Sequence, residues 1–222
     1  MTYFDSEYLE FFKTLAANNH KDWFDANRAT YVKSVKKPFA NFIDNLITET
    51  SKIDTEIGIT HKEAIFRVNR DVRFSRDKTP YKLRMSAIIS KYGRKDKSYP
   101  GLYVEIGPEK LGIYGGLFRP STQELRKIRQ LIVDNIDLFN NLVTDKNFTI
   151  LFGAIKGEKN KRIAKEFTNI APQQPLLFNK QWYYTASLNS DVITSNTLMQ
   201  TILAYFSAMQ GLNNFFKLAL KS

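Results

Sequence analysis

Thirteen consecutive residues, Arg70-Asp71-Val72-Arg73-Phe74-Ser75-Arg76-Asp77-Lys78-Thr79-Pro80-Tyr81-Lys82, concentrate the groups in this sequence best suited to chemistry. With Arg67 just ahead, Arg70, Arg73, Arg76, Lys78 and Lys82 stand against only Asp71 and Asp77. Ser75, Thr79 and Tyr81 add hydroxyls. A guanidinium presents a planar fork that matches phosphate or carboxylate, and backbone amides near Ser75 and Asp77 would add donors. Two readings stay open. The stretch could grip an anion, or its charges could pair internally and pin the loop, with Pro80 fixing a turn and Phe74 and Tyr81 filling core. An enzymatic version of the first reading uses Arg70, Arg73 and Lys78 to hold a phosphorylated or carboxylated substrate. Asp71 or Asp77 would then act as acid/base or metal ligand.

Two further clusters could join this stretch. Asn27-Arg28 follows Trp23 and Phe24 on a predicted helix, and Arg119 follows Gly115-Gly116, where glycines let a ligand approach the backbone. The candidate ligand-binding set is therefore Asn27, Arg28, Arg70, Arg73, Ser75, Asp77, Lys78, Tyr81, Lys82 and Arg119. Other chemistries are excluded by composition. There is no cysteine, hence no disulfide, thiolate nucleophile or Cys-ligated metal. His20 and His61 are the only histidines, which excludes a His-rich metal site; both read as surface or capping residues. Phosphate-loop, dinucleotide and nucleophile-elbow motifs are missing. Asp71, Asp77 and Glu105 could hold Mg²⁺, but nothing in their spacing demands it, so no metal is expected and the sequence names no cofactor.

The elements that must position these groups follow from periodicity. Asp5 or Ser6 caps a helix carrying Leu9, Phe12 and Leu15, with Asn18-Asn19 as its stop. A second helical pattern runs from Trp23 to Ile47, with a kink or fresh start expected at Pro38. Residues 64–68, 85–89 and 102–106 alternate as strands, and Gly107-Pro108-Glu109-Lys110 turns into Leu111 and Ile113. Such period-2 runs predict an antiparallel meander with one buried face, ended by Gly115-Gly116. Ser121 and Glu124 have capping-box spacing ahead of a helix that buries Leu125, Ile128 and Ile132 and exposes Arg126, Lys127 and Arg129. A helix over 136–143, strands over 148–152 and 182–188, a basic loop over 157–162 and a closing helix over 194–220 complete the reading. The closing helix would bury Leu198, Ile202, Phe206, Met209 and Phe216. The expected architecture is α+β: one domain over residues 1–222, with a mainly antiparallel central sheet packed by N-terminal, middle and C-terminal helices.

The 33 Lys and Arg against 22 Asp and Glu give a net charge of +11. That balance favours an anionic small molecule or nucleic acid as partner, or simply a soluble lysine-rich surface. Residues 194–216 are uncharged, but Ser195, Asn196, Gln200, Gln210, Asn213 and Asn214 interrupt them, so no membrane span is expected. Without an apolar leader pattern, the expected location is cytoplasmic.

The stretch from Arg70 through Lys82 closely resembles the hallmark motif of a bacterial and fungal family catalogued as domain of unknown function number 2461. Leu15, Asn18-Asn19, Trp23-Phe24, Asn27-Arg28 and Tyr31 resemble its N-terminal block. Tyr103 to Pro108, Gly115-Gly116, Pro120, Leu125 and Arg129 resemble its middle block. The resemblance implies that the motif is a family feature and implies no activity. Toward the C-terminus the chain departs: a Pro-Gly turn and a His-Pro pair would be expected, where Ala164-Lys165-Glu166-Phe167 and Gln174-Pro175 stand.

Overall fold

Alternating apolar residues build the meander. In the computed structural model, which describes residues 2–221, β1 (Met85–Ile89), β2 (Leu102–Ile106) and β3 (Lys110–Leu117) pair antiparallel in sequence order. β4 (Trp182–Asn189) joins the free side of β3, so the order is β1-β2-β3-β4. The register sets Ala87 opposite Val104 and Val104 opposite Ile113, all fully buried on one face. Because side chains alternate across a pleated sheet, Ile88, Tyr103, Glu105, Tyr114 and Tyr183 fall on the other face.

Helices cover the first face. α1 (Ser6–Ala17) starts at Asp5, whose carboxylate accepts from the Tyr8 N–H, and ends at Asn18. α2 (Lys21–Ala26) is capped by the His20 ring, as expected for that histidine. α3 (Arg28–Thr30) runs through a π-helical turn, Tyr31–Lys36, into α4 (Lys37–Ile53), with Pro38 in its first turn. The Lys37 N–H reaches back to the Val32 carbonyl, so the widened turn redistributes bonds beside a proline that has none to give. α6 (Thr122–Asp134) begins with the reciprocal Ser121–Glu124 capping box. α7 (Ile136–Val143) and α8 (Lys146–Phe152) follow, and α9 (Leu198–Lys221) closes the chain. α9 packs on β3, α4 on β1 and α8 on β4. Leu198, Ile202, Phe206, Met209 and Phe216 of α9 are all fully buried. No helix among the described residues is long and apolar enough to cross a membrane.

Four local expectations are corrected. Residues 64–68 do not form a regular strand. Thr60 and Glu63 box the start of α5 (His61–Ala64), and a single bridge, Ile65 to Ala87, follows. Residues 148–152 lie in α8, because the Asp145 carboxylate accepts from the Phe148 N–H and starts a helix there. Arg129 is buried, and its guanidinium donates to the Leu177 and Asn179 carbonyls at 2.8 and 3.1 Å. The meander does not stop at Gly115-Gly116: β3 runs on to Leu117. Gly116 has φ +88°, and a Cβ there would collide with the Trp182 carbonyl of β4. The glycine is thus required by the close passage of β4.

Candidate functional site

The motif folds as a hairpin whose base is buried and whose tip stands in water. Asn69 bridges Tyr81, the Arg70 N–H donates to the Pro80 carbonyl and the Lys82 N–H to the Val68 carbonyl. Tyr81 is buried and stacks on Phe24 of α2 at 4.0 Å. Asn19 clamps the Tyr81 backbone from both sides, donating to its carbonyl at 3.0 Å and accepting its N–H at 3.1 Å. Toward the tip, Arg70 pairs with Asp77 at 2.5 Å and also donates to the Thr79 hydroxyl and carbonyl. Arg73 forks onto Asp71 at 2.9 and 2.7 Å. Lys78 donates to the Val72 carbonyl at 3.0 Å, and the Ser75 N–H also turns back onto Val72. The Thr79 N–H, then Arg70 and the Thr79 hydroxyl, hold the Asp77 carboxyl down to a pKa of about 2. Arg76 has no partner among the described residues, and the Phe74 ring is 97% exposed.

The other candidates separate. Arg28 pairs with Asp25 at 2.6 Å and lies over the Phe24 ring, while Asn27 ends α2 by donating to the Trp23 carbonyl. Both sit beside the buried base of the hairpin. Lys82 and Arg119 lie elsewhere, both lining a cavity of about 650 Å³ over the open face of the sheet. Of the ten candidates, only these two line it.

Residues outside that set build the rest of the cavity. Its floor is aromatic: Phe66, Tyr103 and Tyr114 meet edge to face at 5.9 and 5.4 Å, and Phe118 and Tyr183 form a second such pair at 5.9 Å. Glu105, 8% exposed, lies on the same face. Arg84 Nε sits 2.9 Å from one of its oxygens, which also accepts from the Tyr103 hydroxyl at 2.8 Å; the other accepts from Tyr114 at 3.1 Å. Burial, with the Glu105 charge adding, raises the Tyr103 phenol well above its ordinary pKa and that of Tyr114 to about 12. Both therefore act as donors at neutral pH.

Glu105 is the one carboxylate in the lining, and Arg84 balances it. Three cations remain. The Lys82 and Lys97 ammonium groups lie 5.7 and 5.4 Å from the Phe66 ring centre, and the Arg119 guanidinium lies 5.3 Å from that of Phe118. None of the three has a carboxylate partner among the described residues. Burial, reinforced by the Arg84 and Arg67 charges, pushes the Lys82 ammonium pKa down. A cation disfavoured by its cationic neighbours is one that an incoming anion would relieve. Arg119 holds a left-handed backbone, φ +58°, unusual for a residue with a side chain.

Sequence reasoning missed Phe66, Arg84, Lys97, Tyr103, Tyr114, Phe118 and Tyr183, and weighed Glu105 only as a metal ligand. A signal was present in β2, where the alternate positions outside Leu102, Val104 and Ile106 are Tyr103 and Glu105 rather than small polar residues. Among the described residues no group of three His, Asp or Glu side chains could hold a metal ion. Asp71, Asp77 and Glu105 are each engaged by a different arginine. A family model described as "Conserved hypothetical protein (DUF2461)" matches residues 7–215. No curated protein matches the chain.

Proposed function

The chain belongs to the DUF2461 family, and from that premise we propose that it is a binding domain for phosphorylated ligands carrying a flat ring, received in the cavity on the open face of the sheet. One observation carries the reading: Lys82, Lys97 and Arg119, without carboxylate partners among the described residues, surround an aromatic floor whose only carboxylate is already balanced by Arg84. A phosphate would meet unpaired cations, and a ring would meet aromatic faces and edges.

The motif enters this reading as a support. Arg70 and Arg73 are matched to Asp77 and Asp71 within the hairpin, and Tyr81 anchors its base. The hairpin so held carries Lys82, whose ammonium donates to the Arg67 carbonyl at 2.9 Å beside Phe66. Binding is favoured over catalysis because Arg84, Tyr103 and Tyr114 occupy both oxygens of Glu105, the carboxylate best placed for acid–base work.

Phenyl phosphate, phenol and pyrophosphate, titrated while backbone amide NMR shifts are followed, test the reading. Phenyl phosphate should bind more tightly than phenol and shift residues of β2 and β3. The double variant Lys82→Met/Lys97→Met should weaken it by roughly tenfold or more, as expected for charge-assisted contacts worth about 1.5–3 kcal/mol. Equal binding of phenol and phenyl phosphate would sink the proposal.

A further inference from the structure

Phe74 is the most exposed large apolar side chain among the described residues, at 97%. Its nearest cation is its own neighbour, with the Arg73 guanidinium 5.9 Å from the ring centre. The ring is not carried on a slack loop. Arg70–Asp77, Arg73–Asp71 and the Lys78 bonds to the Val72 and Arg73 carbonyls brace the turn that presents it. Arg76, beside it in sequence, is exposed and unpartnered among the described residues. A turn braced by these pairs that displays one flat ring among cations is suited to a ligand bearing both negative charge and flat faces. The same hairpin ends at Lys82 on the cavity rim, beside the aromatic floor.

We infer that the partner is single-stranded nucleic acid, with one base received over the aromatic floor of the cavity and another stacked on Phe74 at the hairpin tip. This deepens the cavity reading and rests on it. Lys82 lies eight positions after Phe74. At roughly 3.3 Å per residue, the tip stands at most ~26 Å from the rim, a span suited to sites of about 4–16 nucleotides. Stacking on separate aromatic rings within a basic track is how non-specific single-strand binders hold their ligand. A duplex keeps its bases inside the stack and offers none to a ring at a concave floor. An acidic lipid surface would meet the charges at the tip but would call for a contiguous apolar patch. Phe74 instead stands between Arg73 and Ser75-Arg76.

The test uses fluorescence anisotropy of labelled twelve-residue oligothymidylate and oligouridylate, with the full chain at low and moderate salt. The expected result is binding that weakens with salt. Phe74→Ala should weaken it by roughly 5- to 100-fold at both salt concentrations, as loss of a stacking ring does. Phe74→Trp should restore it, and the melting temperature should not move, since the ring packs on nothing inside the fold. Arg119→Ala should instead lower the salt dependence by about one counterion. Three outcomes overturn the inference while leaving the cavity reading intact, provided phenyl phosphate still binds: no oligonucleotide binding at low salt, unchanged affinity in Phe74→Ala, or binding to phosphatidylserine vesicles in place of oligonucleotide. Loss of both oligonucleotide and phenyl phosphate binding would overturn the cavity reading itself.

Discussion

The two faces of the sheet are made by adjacent residues of the same strands, yet they obey different rules. On the helix-covered face, Ala87, Val104 and Ile113 are fully buried, and α9 lays Phe206, Met209 and Phe216 into the core. On the open face, Tyr103, Glu105 and Tyr114 share hydrogen bonds under a partial cover of Lys82, Arg84 and Lys97. Each side also owns an ion pair. Lys217 of α9 and Asp54, just past α4, meet at 2.5 Å with side chains only 4% and 7% exposed, whereas Arg84 of the open-face pair is 48% exposed. The covered side spends its polar groups on closing the fold. The open side holds its polar groups in place but leaves three cations without carboxylate partners among the described residues.

That contrast can be broken by measurement. The largest effect is expected from Lys217→Met, which strands Asp54 in the interior. Loss of one member of a buried pair should cost about 3–5 kcal/mol in chemical denaturation. Arg84→Ala should cost less, about 1–3 kcal/mol, because the Tyr103 and Tyr114 hydroxyls still donate to the buried Glu105 carboxylate that it leaves. Similar costs for the two would erase the distinction between the pairs. Next come neighbours in β3. Ile113→Ala on the covered face should lose about 2–5 kcal/mol, from lost burial and the cavity left behind. Tyr114→Phe removes one hydroxyl from Glu105 and should lose about 0.5–1.5 kcal/mol. If Tyr114→Phe proved the costlier change, the open face would be a structural surface and not a site.

The smallest effect is the response of the hairpin tip to acid. Asp77 titrates at about 2 in the folded chain against its ordinary 3.8, so its hold on Arg70 and Thr79 is complete above about pH 4 and is lost as the pH falls through about 2. The Thr79 amide, which donates to that carboxylate at 2.9 Å, should lose its exchange protection over that window while amides of β2 and β3 keep theirs. Simultaneous loss in the hairpin and the sheet would show that the tip is not an independent brace.

Much of the fold was legible because its signals are local. The alternation in β1, β2 and β3, the Ser121–Glu124 box, the Asp5 cap and the apolar stripe of α9 all act over a few residues, where side-chain period and capping set the backbone. Some failures were local ambiguities that a neighbouring residue resolved; others needed a partner distant in the chain. Residues 148–152 carry a short apolar run that suits either state, and the Asp145 cap made it helical. Arg129 follows two other basic residues, Arg126 and Lys127, on the same helix, and only the approach of the Leu177 and Asn179 carbonyls shows why it is buried.

The site was legible only in part. Sequence identified the hairpin motif and, within it, Lys82, and it singled out Arg119. It left open whether Arg70 and Arg73 grip an anion or pair internally with Asp71 and Asp77; folding forms the Arg70–Asp77 and Arg73–Asp71 pairs and leaves Arg76, outside the candidate set, unpartnered among the described residues. Charge composition says how many cations there are, not which of them find a partner.

By itself, the sequence determined the α+β class, the meander, the capped helices and the presence of a specific basic motif, because each follows from interactions between residues close in the chain. Tertiary structure alone decided where the open-face cavity forms. The cavity draws Phe66, Lys97, Glu105, Arg119 and Tyr183 from separate connections and strands. Side chains that distant in sequence converge only when strand register fixes which faces they share and the cover leaves one of those faces open.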